Sequence, residues 1–252
     1  MASNSKQVDF LICGTQKGGT TALRSYLRDH PDIEMPEEEL HFFDNDALFE
    51  GGSPDYSFYH SHFNNQSDNT LWGETTPIYM YWEPCPRRIY EYNPNMKLIC
   101  LLRDPVERAY SHWNMEFNRG NEQLRFEDAV KQEQERLSNC KYTQHRVYSY
   151  LDRGFYSEQL KKLSEYFDRA NFLLLKSSDL QNKWEETLRR VTTFLEISDF
   201  KVKNPQRLIH VSSYNSKLSM EDSNKLKKVF YEDMKILSQD FDVDVYKCEA
   251  TE

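Results

Sequence analysis

The sequence predicts a single α/β domain in which a central parallel sheet is flanked by helices. Three apolar runs, at residues 8–13, 97–102 and 171–175, alternate with amphipathic stretches. Such alternation favours parallel strands that are joined by helical crossovers. The run at 97–102 is almost entirely apolar, as is typical of a strand buried on both faces. The length of 252 residues suits one domain with a full core, which we place at 1–252.

The first half of the chain is predicted to contain two strands and two main helices. His30-Pro31 ends the first helix, because the residue before a proline is disfavoured in the helical region. The predicted elements of this half are a strand at 8–13, a helix at about 20–29, a loop at 36–44, loop and short helix at 45–70, a short strand ending in the turn at 72–77, and a helix at 87–92.

From residue 97 onwards the pattern again alternates between strand and helix. Pro105 favours the start of a helix directly after a strand, because proline is tolerated in the first helical turn. Leu188, Val191 and Leu195 form the apolar stripe of a later helix. The predicted elements here are a strand at 97–102, helices at 105–118 and 126–137, a helix within 148–169, a strand at 171–175, a helix at 184–195, a loop at 203–217 and a final helix at 220–237.

The charge balance limits the classes of partner. The formal net charge is −9, from 41 acidic and 32 basic side chains. This argues against a general surface for nucleic acid or anionic membranes, while a local anion pocket remains compatible with it. No apolar stretch is long enough to span a bilayer. Residues 1–7 are polar, lack the apolar core of a signal peptide and are expected to be flexible. We therefore expect no nucleic-acid or membrane partner.

The five cysteines are scattered along the chain and lack Cys-x-x-Cys spacing. This pattern favours reduced thiols in a cytoplasmic protein. No Cys/His cluster has the spacing of metal ligands, and His60 and His62 are interpreted as surface residues. We therefore expect no metal cofactor.

Residues 14–21 (GTQKGGTT) join the first predicted strand to the first predicted helix. The first helical turn leaves N–H groups without partners, and the helix dipole there favours negative charge. Lys17 adds a positive charge, and Thr20 and Thr21 add hydroxyl donors. We interpret the segment, including Gln16, as a cradle for a phosphate-like group. The alternative is a tight turn with a solvated lysine, which does not explain the combination of one lysine, two glycines and two threonines.

The cradle is P-loop-like in position and differs from the Walker A motif in sequence. In that motif the lysine follows the second glycine of a fixed spacing. Here Lys17 precedes Gly18 and Gly19, and no Gly-Lys-Ser/Thr triplet occurs. A nucleotide triphosphatase is therefore disfavoured.

A second motif lies at residues 103–111 (RDPVERAYS), directly after the strand at 97–102. Arg103 stands at the strand end and Ser111 two turns into the next helix. An arginine and a hydroxyl near a strand end suit a second phosphate. Alternatively, Arg103 pairs with Asp104 or a neighbouring carboxylate and Ser111 has no role. Arg108 is expected to form an ion pair with Glu107 or Glu74.

Together these motifs resemble the two donor sites of sulfotransferases that use 3′-phosphoadenosine 5′-phosphosulfate (PAPS). The resemblance places one loop on the 5′-phosphosulfate and the Arg103…Ser111 pair on the 3′-phosphate. Further matches point to the branch of heparan sulfate 3-O-sulfotransferases and N-deacetylase/N-sulfotransferases. They lie at residues 39–44 (ELHFFD), 73–79 (GETTPIY), 102–108 (LRDPVER), 154–156 (GFY) and 172–180.

The resemblance implies sulfuryl transfer from PAPS to an acceptor hydroxyl or amine. Lys17 then stabilises the charge on the departing phosphate, while the N–H groups of Gly18, Gly19 and Thr20 and the threonine hydroxyls hold its oxygens. Glu39 matches the glutamate base of the heparan sulfotransferases, and His41 is the second candidate, with an auxiliary or substrate-contact role.

A predicted loop near the end of the chain has a family counterpart that closes over the nucleotide. Tyr214 and Lys217 lie in it, and Lys217 is either a ligand of the 3′-phosphate or a surface lysine. Thr21 and Thr75 replace two basic residues that contact sulfated sugar in the 3-O-sulfotransferases. We therefore expect a small neutral or cationic acceptor, such as a secondary metabolite. The alternatives are a glycan acceptor, an ATP-dependent small-molecule kinase and a non-catalytic nucleotide-binding module. The oligomeric state is left open.

Overall fold

The computed structural model describes residues 6–52, 54–64, 67, 69–203 and 218–246. Within these residues the centre of the molecule is a five-stranded parallel sheet with the strand order β2-β3-β1-β4-β5. The strands are β1 Phe10–Gly14, β2 Ile33–Glu34, β3 Leu71–Thr75, β4 Lys97–Leu102 and β5 Phe172–Lys176.

Helices follow most strands and cover both faces of the sheet. The helices are α1 Thr20–Leu27, α2 Tyr56–His60, α3 Cys85–Tyr92, α4 Pro105–Asn118, α5 Phe126–Ser138, α6 Tyr156–Ser164, α7 Ser177–Asn182, α8 Trp184–Leu195, α9 Met220–Val229 and α10 Tyr231–Phe241. Short 3₁₀ turns connect several of them. The predicted α/β class, with its parallel sheet between helical layers, is confirmed.

Alternate residues of the central strands enter two different cores. Phe10 and Ile12 of β1 face the core that contains α1 and α8. Leu11 and Cys13 face a larger core that includes side chains of α3, α6 and α10. Both faces of β1 are buried, which explains why its sequence is a continuous apolar run.

The helices α4 and α8 have the bounds that the sequence predicts, whereas three other features differ. The strand β2 was not predicted, because two residues that pair with β3 are too short for a periodic pattern. The helix α7 was also missed, since it begins directly after β5. The final predicted helix is divided into α9 and α10 at Phe230, a fully buried residue.

The cysteines of the described part are free thiols, as predicted. Cys13, Cys85 and Cys100 are buried and Cys140 is half-buried, while Cys248 lies outside the described residues. Of the terminus predicted to be flexible, 1–7, residues 1–5 also lie outside them, and Lys6 and Gln7 donate hydrogen bonds to the carbonyls of Thr70 and Tyr92. In the described ranges, none of the helices is both long and apolar enough to traverse a bilayer.

Candidate active site

Three segments that carry sequence-predicted residues meet at the carboxyl edge of the sheet. The glycine-rich loop follows β1, Thr76 follows β3, and Arg103 follows β4. Since β3, β1 and β4 are parallel neighbours, these segments lie side by side. Ligands of open parallel sheets bind at this edge. The tertiary fold therefore brings the predicted motifs into one place.

The two glycines of the loop have different roles. A Cβ on Gly18 would lie 2.5 Å from the Leu101 carbonyl oxygen, so packing against β4 demands glycine there. The Gly18 N–H donates to the Thr15 carbonyl at 2.8 Å, which engages it inside the loop instead of leaving it for a ligand. Gly19 has φ of 100° and caps the start of α1, a conformation that favours glycine.

The amino end of α1 is open to an anion. No side chain caps it, and its first turn contains no acidic residue. Among the described residues, the N–H groups of Gly19, Thr20 and Thr21 have no hydrogen-bond partner. Thr20 is buried and Thr21 is exposed. The unpaired donors and the helix dipole make this end attractive to a phosphate group.

Lys17 and Arg103 are brought together by the loop. Lys17 has a positive φ of 70°, and its Nζ lies 3.7 Å from Met115 Sδ of α4. Its carbonyl oxygen accepts a hydrogen bond from Arg103 Nη1 at 3.3 Å. This contact joins the two motifs that the sequence places 86 positions apart.

Arg103 also pairs with a neighbouring carboxylate, as the alternative interpretation anticipated. Its Nε and Nη2 lie 3.2 and 3.1 Å from Glu107 Oε2, and 23% of its side chain is exposed. Asp104 does not pair with it and instead caps α4 by accepting N–H bonds from Val106 and Glu107. Ser111 is buried, with 2% exposure. A partly exposed guanidinium can exchange a surface carboxylate for a ligand phosphate at low cost.

A carboxylate network, formed by Glu39, His41, Asp44 and Arg146, lies beyond the carboxyl end of β3. His41 Nδ1 is 3.0 Å from Asp44 Oδ2, and His41 Nε2 is 3.5 Å from Glu39 Oε2. Arg146 forms an ion pair with the same Asp44 carboxylate and also donates to its carbonyl oxygen. Asp44 is fully buried, whereas the side chains of His41 and Glu39 are 47% and 35% exposed.

The network fixes the protonation of His41 and Asp44. Hydrogen bonds to Asp44 and Glu39 raise the pKa of His41 to about 10, so the imidazole is a cation at neutral pH. Burial opposes ionisation of Asp44, but hydrogen bonds from His41 and Arg146 outweigh it and lower the pKa of that carboxyl. A protonated His41 cannot accept a further proton, which leaves Glu39 as the candidate base.

Glu74 anchors the segment that carries Glu39 and His41. Its buried carboxylate accepts hydrogen bonds from the hydroxyls of Thr76 and Tyr79. Thr76 Oγ1 in turn accepts the His41 N–H at 3.3 Å, and Tyr79 Oη accepts the Phe42 N–H at 2.8 Å. Burial raises the pKa of Glu74 to about 7. The two hydroxyls thus link the candidate catalytic segment to β3.

The ion pair expected for Arg108 is absent from the described part of the structure. Arg108 is fully buried and donates instead to the Tyr150 carbonyl oxygen. The expectation from the sequence was wrong because the side-chain direction is set by packing of α4 against residues 145–153. Arg153, which the sequence does not single out, donates to Gln16 Oε1 of the glycine-rich loop.

Asp44, Arg146 and Arg153 are the site residues that sequence reasoning missed. Asp44 lies inside the quoted motif at 39–44 and Arg153 directly precedes the one at 154–156, so the signals were adjacent. Tyr214 and Lys217 lie outside the described residues. Over the described ranges, no group of three or more His, Cys, Asp or Glu side chains is placed to hold a metal ion.

Comparison with known proteins gives consistent matches. The family model of the sulfotransferase domain matches residues 7–249. Human heparan sulfate glucosamine 3-O-sulfotransferase 6 is 30% identical over 185 residues, which cover 73% of this chain and 51% of that protein. Mouse heparan sulfate glucosamine 3-O-sulfotransferase 5 is 28% identical over 192 residues, 74% of this chain and 53% of that protein. The chain thus spans about half the length of these curated relatives.

Solved structures share the fold. A sulfotransferase from Alicyclobacillus acidocaldarius superposes with a TM-score of 0.81 at 23% identity, covering 95% of this chain and 97% of that one. Mouse sulfotransferase SULT7A1 complexed with PAP gives a TM-score of 0.58 at 11% identity, covering 94% and 89%. With the family model covering nearly the whole sequence, these likenesses agree with the two motifs at the sheet edge, and the chain belongs to the sulfotransferase domain family.

Proposed function

We propose that the protein transfers the sulfuryl group of PAPS to a nucleophilic hydroxyl or amine. The observation that carries this proposal is the contact between Arg103 Nη1 and the Lys17 carbonyl oxygen, at 3.3 Å. It sets two anion-binding motifs beside each other at the carboxyl ends of adjacent strands. A nucleotide with phosphates on both the 3′ and the 5′ side of its ribose requires two such anion-binding motifs.

The glycine-rich loop holds the 5′-phosphosulfate in this proposal. The N–H groups of Gly19, Thr20 and Thr21 and the threonine hydroxyls bind the non-bridging oxygens, and Gln16 helps to shape the loop. Gly18 contributes its small size, because its N–H is engaged by Thr15. Lys17 stabilises the charge that develops on the bridging oxygen of the departing phosphate.

Arg103 and Ser111 hold the 3′-phosphate. Arg103 exchanges its surface partner Glu107 for the phosphate, and a charge-assisted fork-like contact favours that exchange. Tyr214 and Lys217 are proposed to complete the nucleotide site from the segment at 204–217.

Glu39 is the proposed base. The acceptor oxygen or nitrogen forms a bond to sulfur while the bond from sulfur to the phosphate oxygen breaks, and the acceptor proton passes to Glu39. Adenosine 3′,5′-bisphosphate is the leaving group. His41, which is cationic at neutral pH, orients Glu39 and contacts the acceptor.

A glycan is the acceptor class that the relatives favour, since they are named for heparan sulfate. The case for a small metabolite rests on Thr21, which is exposed and uncharged at a position where the 3-O-sulfotransferases carry a basic residue. Thr75 gives little support to that case, because the residue is only 1% exposed.

A transfer assay separates these possibilities. The protein is incubated with radiolabelled PAPS and either heparan-type oligosaccharides or a panel of small alcohols and amines, and the labelled product is counted. We expect product only with PAPS and not with ATP and Mg²⁺, and preferentially with the oligosaccharides. Efficient labelling of small acceptors alone reverses the acceptor assignment, and phosphoryl transfer from ATP overturns the donor assignment.

A further inference from the structure

Two arginines are buried next to the proposed donor site. Arg108 lies on α4 and is 0% exposed, and Arg153 lies in the 3₁₀ turn Asp152–Gly154 and is 2% exposed. Removing a charge from water is costly unless an opposite charge or a full set of hydrogen bonds replaces the water. The partners of these two guanidinium groups therefore matter.

Neither guanidinium contacts a carboxylate within the described part of the chain. Arg108 Nη2 donates to the Tyr150 carbonyl, while its Nε and Nη1 find no acceptor among the described residues. Arg153 is well hydrogen-bonded, but every partner is neutral. Those partners are Ser149 Oγ at 2.8 Å, the carbonyls of His145 at 3.1 Å and Arg146 at 2.8 Å, and Gln16 Oε1.

His112 shares this environment one turn along α4 from Arg108. It is fully buried, and neither ring nitrogen has a hydrogen-bond partner among the described residues, with Glu116 Oε1 at 3.9 Å from Nε2. Burial and the positive charges of Arg153, Arg108 and Lys17 hold the pKa of His112 well below its usual value. The imidazole is therefore neutral, and we call the two charged groups, Arg108 and Arg153, the buried-cation cluster.

Among the described residues, the nearby carboxylates act on the cluster only through space, Glu133 on Arg108 and Glu116 on Arg153, without contacting either guanidinium. Glu133 lies more than 4 Å from Arg108. Its carboxylate oxygens accept hydrogen bonds from the N–H groups of Leu151 and Asp152. Burial raises the pKa of Glu133 to about 7, so it is only partly ionised at neutral pH. Residues 204–217, which lie outside the described part, contain no Asp or Glu at all.

The cluster is connected to both anion-binding motifs of the donor site. Arg153 contacts Gln16 of the glycine-rich loop. Arg108 and His112 flank Ser111 on α4, and Met115 of the same helix contacts Lys17 Nζ. An anion held by the loop and by Ser111 would thus be close to two cations that have no carboxylate contact among the described residues.

We propose that the phosphates of the bound donor are the counter-charge of Arg108 and Arg153, so that donor binding relieves a charge imbalance built into the donor-free protein. The two arginines are positioning residues that act through the field and through Gln16, without touching the reacting atoms. This inference rests on the proposed function and deepens its donor site. It predicts that Arg108 lowers the stability of the donor-free protein and increases its affinity for the nucleotide.

The test is Arg108→Met, which removes the charge and keeps a side chain of similar length. We expect the Tm of the donor-free variant to rise by about 3 °C, because an uncompensated buried charge is gone. We expect the Kd for adenosine 3′,5′-bisphosphate, measured by calorimetry, to weaken by about tenfold. A fall in Tm of the donor-free variant, or an unchanged Kd, overturns the proposal.

Two further variants separate charge from shape. Arg108→Lys keeps the charge and is expected to retain the Kd within about threefold. A loss as large as that of Arg108→Met contradicts the proposal, because shape would then be the cause. Arg88→Met is the control, since Arg88 is also buried, with 6% exposure, but is ion-paired with Asp46 at 2.8 Å. It is expected to lower the Tm and leave the Kd unchanged, and a rise in Tm would count against the inference.

The outcome for the unaltered protein distinguishes this proposal from the proposed function. If the parent binds adenosine 3′,5′-bisphosphate and Arg108→Met binds it equally well, only the inference about the cluster fails. If the parent does not bind the nucleotide, the proposed donor is wrong. The inference that its phosphates balance the charge of the cluster then fails as well.

Discussion

The carboxylate network and the buried-cation cluster differ in the partners of their arginines. In the network, Arg146 and His41 both contact Asp44, so each cation has a carboxylate within 4 Å. In the cluster, Arg108 and Arg153 donate only to neutral groups in the described structure. Within the described residues, the cations of the network are therefore paired with a carboxylate, whereas those of the cluster are not.

The two regions also differ in solvent exposure: the network is partly exposed and the cluster is buried. Glu39 and His41 are roughly half-exposed, so solvent screens the forces among them. Arg108 and Arg153 are buried, where a missing counter-charge is felt more strongly. Under the proposed function, the first region would orient side chains for proton transfer, and the second would complement the charge of the donor.

The largest effect is expected from Lys17→Ala on the donor side. Loss of a charge aimed at the leaving phosphate is expected to reduce kcat by about 10²–10³-fold. Initial rates with radiolabelled PAPS measure it, and circular dichroism checks that the fold is kept. The control is Lys131→Ala, whose lysine is 74% exposed on α5. Equal turnover of Lys17→Ala and the parent would remove Lys17 from the chemistry.

Glu39→Gln tests the role of the carboxylate network. Without the base, kcat is expected to fall by about 10²-fold while the Kd for adenosine 3′,5′-bisphosphate stays the same. The neighbouring exposed residue offers the control Glu38→Gln, for which we expect parental rates. A weaker nucleotide Kd with parental kcat would mean that Glu39 contributes to donor binding and is not the base. The contrast between the two regions would then be wrong.

Arg103→Ala tests a cation that has a carboxylate partner on the donor side. We expect the nucleotide Kd to weaken by about tenfold with little change in kcat, because the 3′-phosphate is remote from the breaking bond. Arg119→Ala, with a guanidinium 60% exposed at the end of α4, is the control. If both variants bind the nucleotide as the parent does, Arg103 belongs to the scaffold.

The smallest effect concerns pH and stability in the network. The pKa of His41 is raised to about 10 in the folded protein, above its usual 6.5. Its stabilising contribution is therefore fully present below about pH 6.5 and is lost as the pH rises through about 10. The Tm difference between the parent and His41→Gln is expected to be positive at pH 6 and to vanish by about pH 10.5. A difference that persists at high pH would assign the effect to packing.

The sequence anticipated the motifs better than the contacts within them. It placed Lys17 and Arg103 at strand ends, because an apolar run followed by a polar turn is a local pattern. It assigned Gly18 to the ligand, whereas the structure packs Gly18 against the Leu101 carbonyl. It paired Arg108 with Glu107 or Glu74, whereas the buried guanidinium donates to the Tyr150 carbonyl oxygen. Contacts between strands cannot be deduced from a local pattern.

What the sequence alone determined is the alternation of strands and helices, the strand-to-helix loop and the family to which the chain belongs. These properties depend on residues that are neighbours in the chain. Which of the described cations have a carboxylate partner depends on contacts between distant parts of the chain. Arg146 reaches Asp44 across 102 positions, and Arg153 reaches Gln16 across 137. Because electrostatic energy depends on separation in space and on burial, the charge balance of each region follows from packing and cannot be read from composition.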